Sequence, residues 1–213
     1  MPTKTVHMAV YDTLADWEVG AATAHVNRPN WQKAPGTFQV QTVGLTADPI
    51  MTTGGMRIVP DMVLADLTPA ASAMLILPGA DTWETGELVP FTHKAREFLD
   101  AGVPVAAICG ATFGLAKEGL LDNHSHTGAA AEYLADSGYS GGDHYLDQAA
   151  VLDGDLITAG PTAPFEFARE VLRRLDVYEP HVLDAWYRLF GHSDPAAFAA
   201  LSEYEAHRTT ASV

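Results

Sequence analysis

Cys109 is the only cysteine in the chain. It closes the apolar run Val105-Ala106-Ala107-Ile108, and the small-residue segment Gly110-Ala111-Thr112-Phe113-Gly114-Leu115-Ala116 follows directly. That pattern reads as strand, sharp turn and helix. A nucleophile on such a turn needs small residues two positions before and after it, because strand and helix backbones pass close together; Ala107 and Ala111 supply them. The first amides of the helix and its dipole then favour thiolate over thiol. A buried structural cysteine is the alternative reading of the same residue.

Two carboxylates stand after the first apolar run: Asp16 and Glu18, in Asp12-Thr13-Leu14-Ala15-Asp16-Trp17-Glu18. A carboxyl confined beside the thiol would have its pKa raised by desolvation and like charge, leaving a proton between the two groups. Either acid is also an ordinary loop or helix-start charge. His124-Ser125-His126 offers imidazoles for proton relay near neutral pH. Two histidines on one extended piece without a third clear ligand do not make a metal site, so no metal and no cofactor is expected. Trp17 and Trp83 are candidates for the walls of a small apolar pocket, or for core aromatics.

These residues need a scaffold, and the hydropathy pattern describes one. Val6–Tyr11 reads as a first strand, followed by a loop leading into an Ala-rich helix that stops near Arg28, before Pro29. Phe38–Gly44 alternates as a second strand, Thr53-Gly54-Gly55 turns, and Met56–Pro60 is a short extended piece. Ala73–Leu77 is a continuous apolar run covered on both faces, ending in Pro78-Gly79-Ala80-Asp81. A helix through Phe91, Ala95, Phe98 and Leu99 closes at Gly102, and the Cys109 strand follows. Gly119 stops the elbow helix, and Thr127-Gly128 opens another that ends at Gly138. Ala149–Leu152 and Leu156–Ala159 flank Asp153-Gly154 as paired strands. A long amphipathic helix starts at Phe165, Glu179-Pro180 breaks it, and Leu183, Trp186, Tyr187 and Phe190 space out another. Asp194-Pro195 caps a last short helix. The alternation predicts an α/β fold with a mostly parallel sheet and helices on both faces.

The elbow, Leu77-Pro78-Gly79, Glu18 after the first strand, and Ile157-Thr158-Ala159-Gly160-Pro161 before Phe165-Glu166-Phe167-Ala168 together resemble the ThiJ/PfpI family. This is the class I glutamine-amidotransferase-like superfamily that includes the parkinsonism-associated deglycase, glyoxalase III chaperones, isonitrile hydratases and PfpI peptidases. The resemblance covers about residues 4 to 177. It implies a flavodoxin-like three-layer sandwich, with the nucleophile elbow at the carboxyl edge of the sheet. By the same likeness Cys109 is the nucleophile and Glu18, rather than Asp16, its acid partner. Gly79, Ala80 and Gly110 present amides to an oxyanion, and His126 sits near the nucleophile. One departure is visible: peptidase relatives carry histidine immediately after the cysteine, and here that residue is Gly110. This argues against peptidase activity, and the absence of a glutaminase partner domain argues against amidotransfer.

The resemblance therefore implies a cysteine-nucleophile enzyme acting on a small electrophile, best read as glyoxalase III or deglycase-like conversion of a reactive carbonyl. The alternatives are a cysteine-oxidation stress sensor without turnover, and an isonitrile hydratase or small amidase. It also implies a homodimer. The formal net charge of −15 repels nucleic acid and anionic membranes, and the unpaired cysteine suits a cytoplasmic protein. A small-molecule substrate is the expected partner. The expected domain organisation is a family domain over 1–178, a helical extension over 179–205 and a loose tail over 206–213.

Overall fold

Apolar runs with no polar face form the centre of the sheet. β6 (Met74–Leu77) and β7 (Val105–Ile108) are buried along their whole length, as strands covered on both faces must be. Around them the structure, a computed structural model describing residues 3–211, builds a seven-stranded sheet. Besides β6 and β7, its strands are β1 (Lys4–Ala9), β2 (Phe38–Gly44), β5 (Met62–Val63), β8 (Ala150–Asp153) and β9 (Leu156–Ala159). Their order is β5-β2-β1-β6-β7-β9-β8, and every pairing is parallel except that of β8 with β9. One face carries α1 (Asp16–Asn27) and α5 (Pro164–Arg174), and the other α2 (Val89–Asp100) and α3 (Gly110–Lys117). The flavodoxin-like three-layer α/β arrangement is thus present.

The strand order explains where a site can form. From β1 the chain moves outward to β2 on one side, whereas β6 leads outward to β7 on the other. Loops leaving the carboxyl ends of β1 and β6 therefore diverge and open a crevice. Glu18 follows β1, the turn beginning at Pro78 follows β6, and Cys109 follows β7.

Several elements differ from the sequence reading. α1 begins at Asp16, so Glu18 lies in its first helical turn rather than in a loop. The segment at 50–58 is a small hairpin, β3 (Ile50–Met51) with β4 (Arg57–Ile58), laced onto the loop after β1. Thr13 N–H donates to Met51 O (2.8 Å), and Gly54 N–H donates to the Asp16 carboxylate (2.6 Å). Thr127-Gly128 opens no helix. Thr127 N–H is taken by Thr158 Oγ1 (2.9 Å) and its hydroxyl by Gln148 O (2.7 Å), which keeps the segment extended; only Ala131–Ala135 (α4) is helical. The edge strand β5 was not legible, because two residues carry no period.

α6 (Pro180–Gly191) packs on α5, and its Trp186 meets His25 of α1; with Val182 and Leu183 also buried, it completes the core on that face. α7 (Ala197–Ala211) packs on α6 and stays helical through most of the stretch expected to be loose; residues 212 and 213 lie outside the described residues. No helix among the described residues is long and apolar enough to cross a membrane.

Candidate active site

Cys109 is the residue between β7 and α3, with φ 58° and ψ −127°. A non-glycine residue held at such a positive φ stores strain, which the surrounding packing must over-determine. That packing is visible. Ala107 and Ala111 are fully buried on either side, as the small-x-Cys-x-small spacing requires. A Cβ on Gly110 would stand 3.0 Å from Trp83 and 3.1 Å from Ala80 O, and one on Gly114 only 2.4 Å from the Trp83 ring. The glycine face of α3 is therefore seated directly on the turn that follows β6. Cys109 itself remains partly exposed.

Glu18 reaches this turn from the other side. It is fully buried, and its Oε2 accepts the Gly79 N–H at 2.6 Å. A Cβ on Gly79 would lie 2.7 Å from that oxygen and 2.8 Å from the Cys109 Cβ, so only glycine lets carboxyl and cysteine converge. The other oxygen, Oε1, has no hydrogen bond of regular geometry and is left to the thiol. A buried carboxylate oxygen without a regular partner is costly and calls for an explanation, and here its neighbour is the thiol.

The electrostatics correct one expectation. Burial first, then the Glu18 carboxylate, push the Cys109 thiol up to about 12, and the Gly110 N–H offsets only part of this. Burial raises Glu18 as well, against the Gly79 N–H and the thiol. A standing thiolate created by the helix terminus is therefore not what the surroundings favour. Two groups that each disfavour the other's negative charge retain a proton between them at neutral pH.

The remaining candidates divide. The Gly79 amide is committed to Glu18 and is not free for an oxyanion; Ala80 N–H makes no hydrogen bond among the described residues, and Gly110 N–H points to the sulfur. Asp16 does not meet the thiol, since its carboxylate binds Gly54 N–H at the α1 terminus. Trp83 is a core residue, donating to Pro78 O (2.9 Å) and packed edge-on to Tyr11. Trp17 is an exposed indole at the same edge, donating to Pro161 O (3.2 Å).

His126 is fully buried with both nitrogens engaged. Nδ1–H donates to His124 O (2.8 Å) and Nε2 accepts from the Tyr139 hydroxyl (3.0 Å), while burial lowers its pKa. An imidazole so occupied has no free nitrogen for the thiol, and the expected relay is replaced by a structural tie between the loop and Tyr139. Two neighbours of the sulfur were missed in the sequence: Asp81, on the turn after β6, whose charge raises the thiol pKa, and Tyr133 of α4, whose hydroxyl is pushed up by burial, by Glu84 and then by the cysteine. Asp81 was within reach of a reading that followed the turn past Ala80. Tyr133 depends on how α4 approaches and carried no local signal. No cluster of three or more His, Cys, Asp or Glu suited to a metal ion occurs among the described residues.

The profile of the DJ-1/PfpI family matches residues 4–174. The chain is 39% identical over 204 residues to a Bacillus subtilis protein named uncharacterized protease YoaZ, covering 94% of this chain and 97% of that one. It is 29% identical over 144 residues to the glutathione-independent glyoxalase DJR-1.2 of Caenorhabditis elegans, covering 66% and 75% respectively. Among solved structures, a thiJ/pfpI family protein from Bacillus anthracis superposes with a TM-score of 0.90 at 38% identity, over 96% of this chain and 98% of that one. The DJ-1 superfamily protein Atu0886 from Agrobacterium tumefaciens follows at 0.77 and 28%, over 87% and 98%.

Proposed function

Because the chain belongs to the DJ-1/PfpI family, we propose that it is a cysteine-dependent enzyme converting a small reactive dicarbonyl to a 2-hydroxy acid without a thiol cosubstrate. The observation that carries this reading is the buried Glu18 Oε1, unpaired and set against the partly exposed Cys109 on its strained turn. A thiol that rests protonated beside a carboxylate is activated by handing over its proton as it attacks.

For a 2-oxoaldehyde the sulfur adds to the aldehyde carbon. The S–C bond forms, the carbonyl π pair moves to oxygen, and the thiol proton passes through Glu18 to that oxygen, giving a hemithioacetal. The Ala80 amide is the unengaged donor while the charge develops, and the Gly110 N–H is turned to the sulfur. Glu18 then moves the C1 proton to C2 through an enediol, which leaves a thioester at C1 and an alcohol at C2. Water attacks the thioester, the C–S bond breaks, and the acid and the free thiol are released. The net change is addition of one water, with no external oxidant or reductant.

The glyoxalase name of the nematode relative supports this choice of substrate class. The protease names of the Bacillus subtilis relatives find less support, because Gly110 stands where peptidase relatives carry histidine. An oxidation sensor needs standing thiolate, which the raised thiol pKa disfavours. The test is lactate formation from methylglyoxal in glutathione-free buffer. Turnover that disappears in Cys109→Ala supports the reading, and equal turnover in that variant overturns it.

A further inference from the structure

The mouth of the Cys109 site is built from acidic groups. The turn after β6 packs onto the start of α3 so closely that Ala80 O and Trp83 would touch a Gly110 Cβ. This sets the exposed Asp81 where its charge bears on the sulfur, with the exposed Glu84 three residues further along the same turn. Asp81 is pinned through its N–H, which donates to Thr13 Oγ1 at 3.0 Å, and Thr13 is itself held at φ 61°. Glu84 meets the hydroxyl of Tyr133, whose ring lies 5.0 Å from Phe113 of α3. Beneath them is Glu18 with its unpaired oxygen. The other charges that bear on the sulfur are carboxylates; no Lys, Arg or His of the described residues is among them.

We propose that Asp81 and Glu84 form a charge filter over Cys109, admitting uncharged or cationic electrophiles and rejecting anionic ones such as 2-oxo acids. The proposal rests on Cys109 being the accessible nucleophile of the reading above, and it adds the charge class of the substrate. An incoming carboxylate meets Asp81 and then Glu84 along the rim and the proton-sharing Glu18–Cys109 pair below, and no Lys, Arg or His of the described residues is among the charges that bear on the sulfur. A dicarbonyl without charge meets no such barrier. The same filter keeps the carboxylate product from returning to the thiol.

Two alkylating reagents of nearly equal size and opposite suitability read this directly, without any turnover: iodoacetamide, uncharged, and iodoacetate, anionic. The native full-length protein is alkylated at Cys109 with each, and the rate ratio is divided by that of N-acetylcysteine to remove intrinsic reactivity. A preference for iodoacetamide of about tenfold beyond the free thiol is expected from charges at this range near the surface. Asp81→Asn and Glu84→Gln should each reduce it severalfold. Glu203→Gln, an exposed carboxylate on α7, changes net charge equally and should leave it unaltered. A normalised ratio near one, or an equal fall in all three variants, overturns the filter while leaving the nucleophile intact. Failure of native Cys109 to react with either reagent overturns the underlying reading, and the filter with it.

Discussion

Glu18 and His25 sit on the same face of α1, seven residues apart, and both are buried, yet they are treated in opposite ways. His25 shares a 2.9 Å hydrogen bond with the Tyr178 hydroxyl and is enclosed by the rings of Trp31, Trp186 and Phe190. Glu18 is deeper still, but one of its oxygens has no regular partner and turns to a strained cysteine. The first is a polar group absorbed into a core. The second keeps one buried oxygen without a regular partner, at a cost in stability. α1 thus joins an aromatic box whose histidine is hydrogen-bonded, completed by α6, to a carboxyl with an unpaired oxygen at the carboxyl edge of the sheet. Burial alone does not distinguish the two; partnership does.

The contrast can be broken from either end. Glu18→Gln keeps the shape but cannot take the thiol proton, and removal of such a general base costs about 10²–10⁴ in turnover. Its thermal unfolding should change much less, because the Gly79 N–H still finds an oxygen. At the other end, Trp186→Ala should lower stability by about 3–5 kcal/mol, since a fully buried indole leaves a cavity among His25, Phe165 and Phe190. Cys109 alkylation measured in native buffer should be unchanged in that variant. Equal effects of both substitutions on both readouts would erase the distinction.

A pH titration sharpens it further. Burial lowers His25 from the ordinary 6.5 to about 4. Above pH 6.5 both folded and unfolded chains carry it neutral, so it contributes no slope. Below 6.5 the unfolded chain takes up a proton that the folded chain refuses, and stability falls by about 3 kcal/mol in all by pH 4. Glu18 works in the other direction: its raised folded pKa means that the folded chain gains protons first as pH falls. Comparing denaturation midpoints of the parent chain and His25→Gln between pH 7 and 4 isolates the imidazole. The parent should lose stability faster, and parallel curves would remove His25 from the account.

Much of this was legible in the chain, for identifiable reasons. Continuous apolar runs gave β6 and β7, because a doubly covered strand cannot hide its composition. The hairpin β8–β9 was readable from Asp153-Gly154, whose glycine takes φ 61°. The elbow followed from small residues flanking the lone cysteine. Glu18 was chosen over Asp16 only with the help of family likeness, and the physical reason is now plain: Asp16 serves Gly54. What failed was whatever depended on a partner distant in sequence. His126 looked like a free imidazole because Tyr139 was not yet beside it. Gly79 looked like a free amide because Glu18 had not claimed it. The thiolate expected from the helix terminus gave way to burial and a neighbouring carboxylate, neither of which a local motif displays.

The central claim is that Cys109 and Glu18 share a proton, with the thiol resting protonated and Glu18 ready to accept. The direct measurement is the rate of Cys109 alkylation by iodoacetamide across pH, for the native protein and Glu18→Gln. The native rate should still be rising above the free-cysteine pKa of about 8.5, and Glu18→Gln should move the profile to lower pH by removing a negative charge from the sulfur. A native rate that levels off well below pH 8.5, and shifts upward in Glu18→Gln, would contradict it.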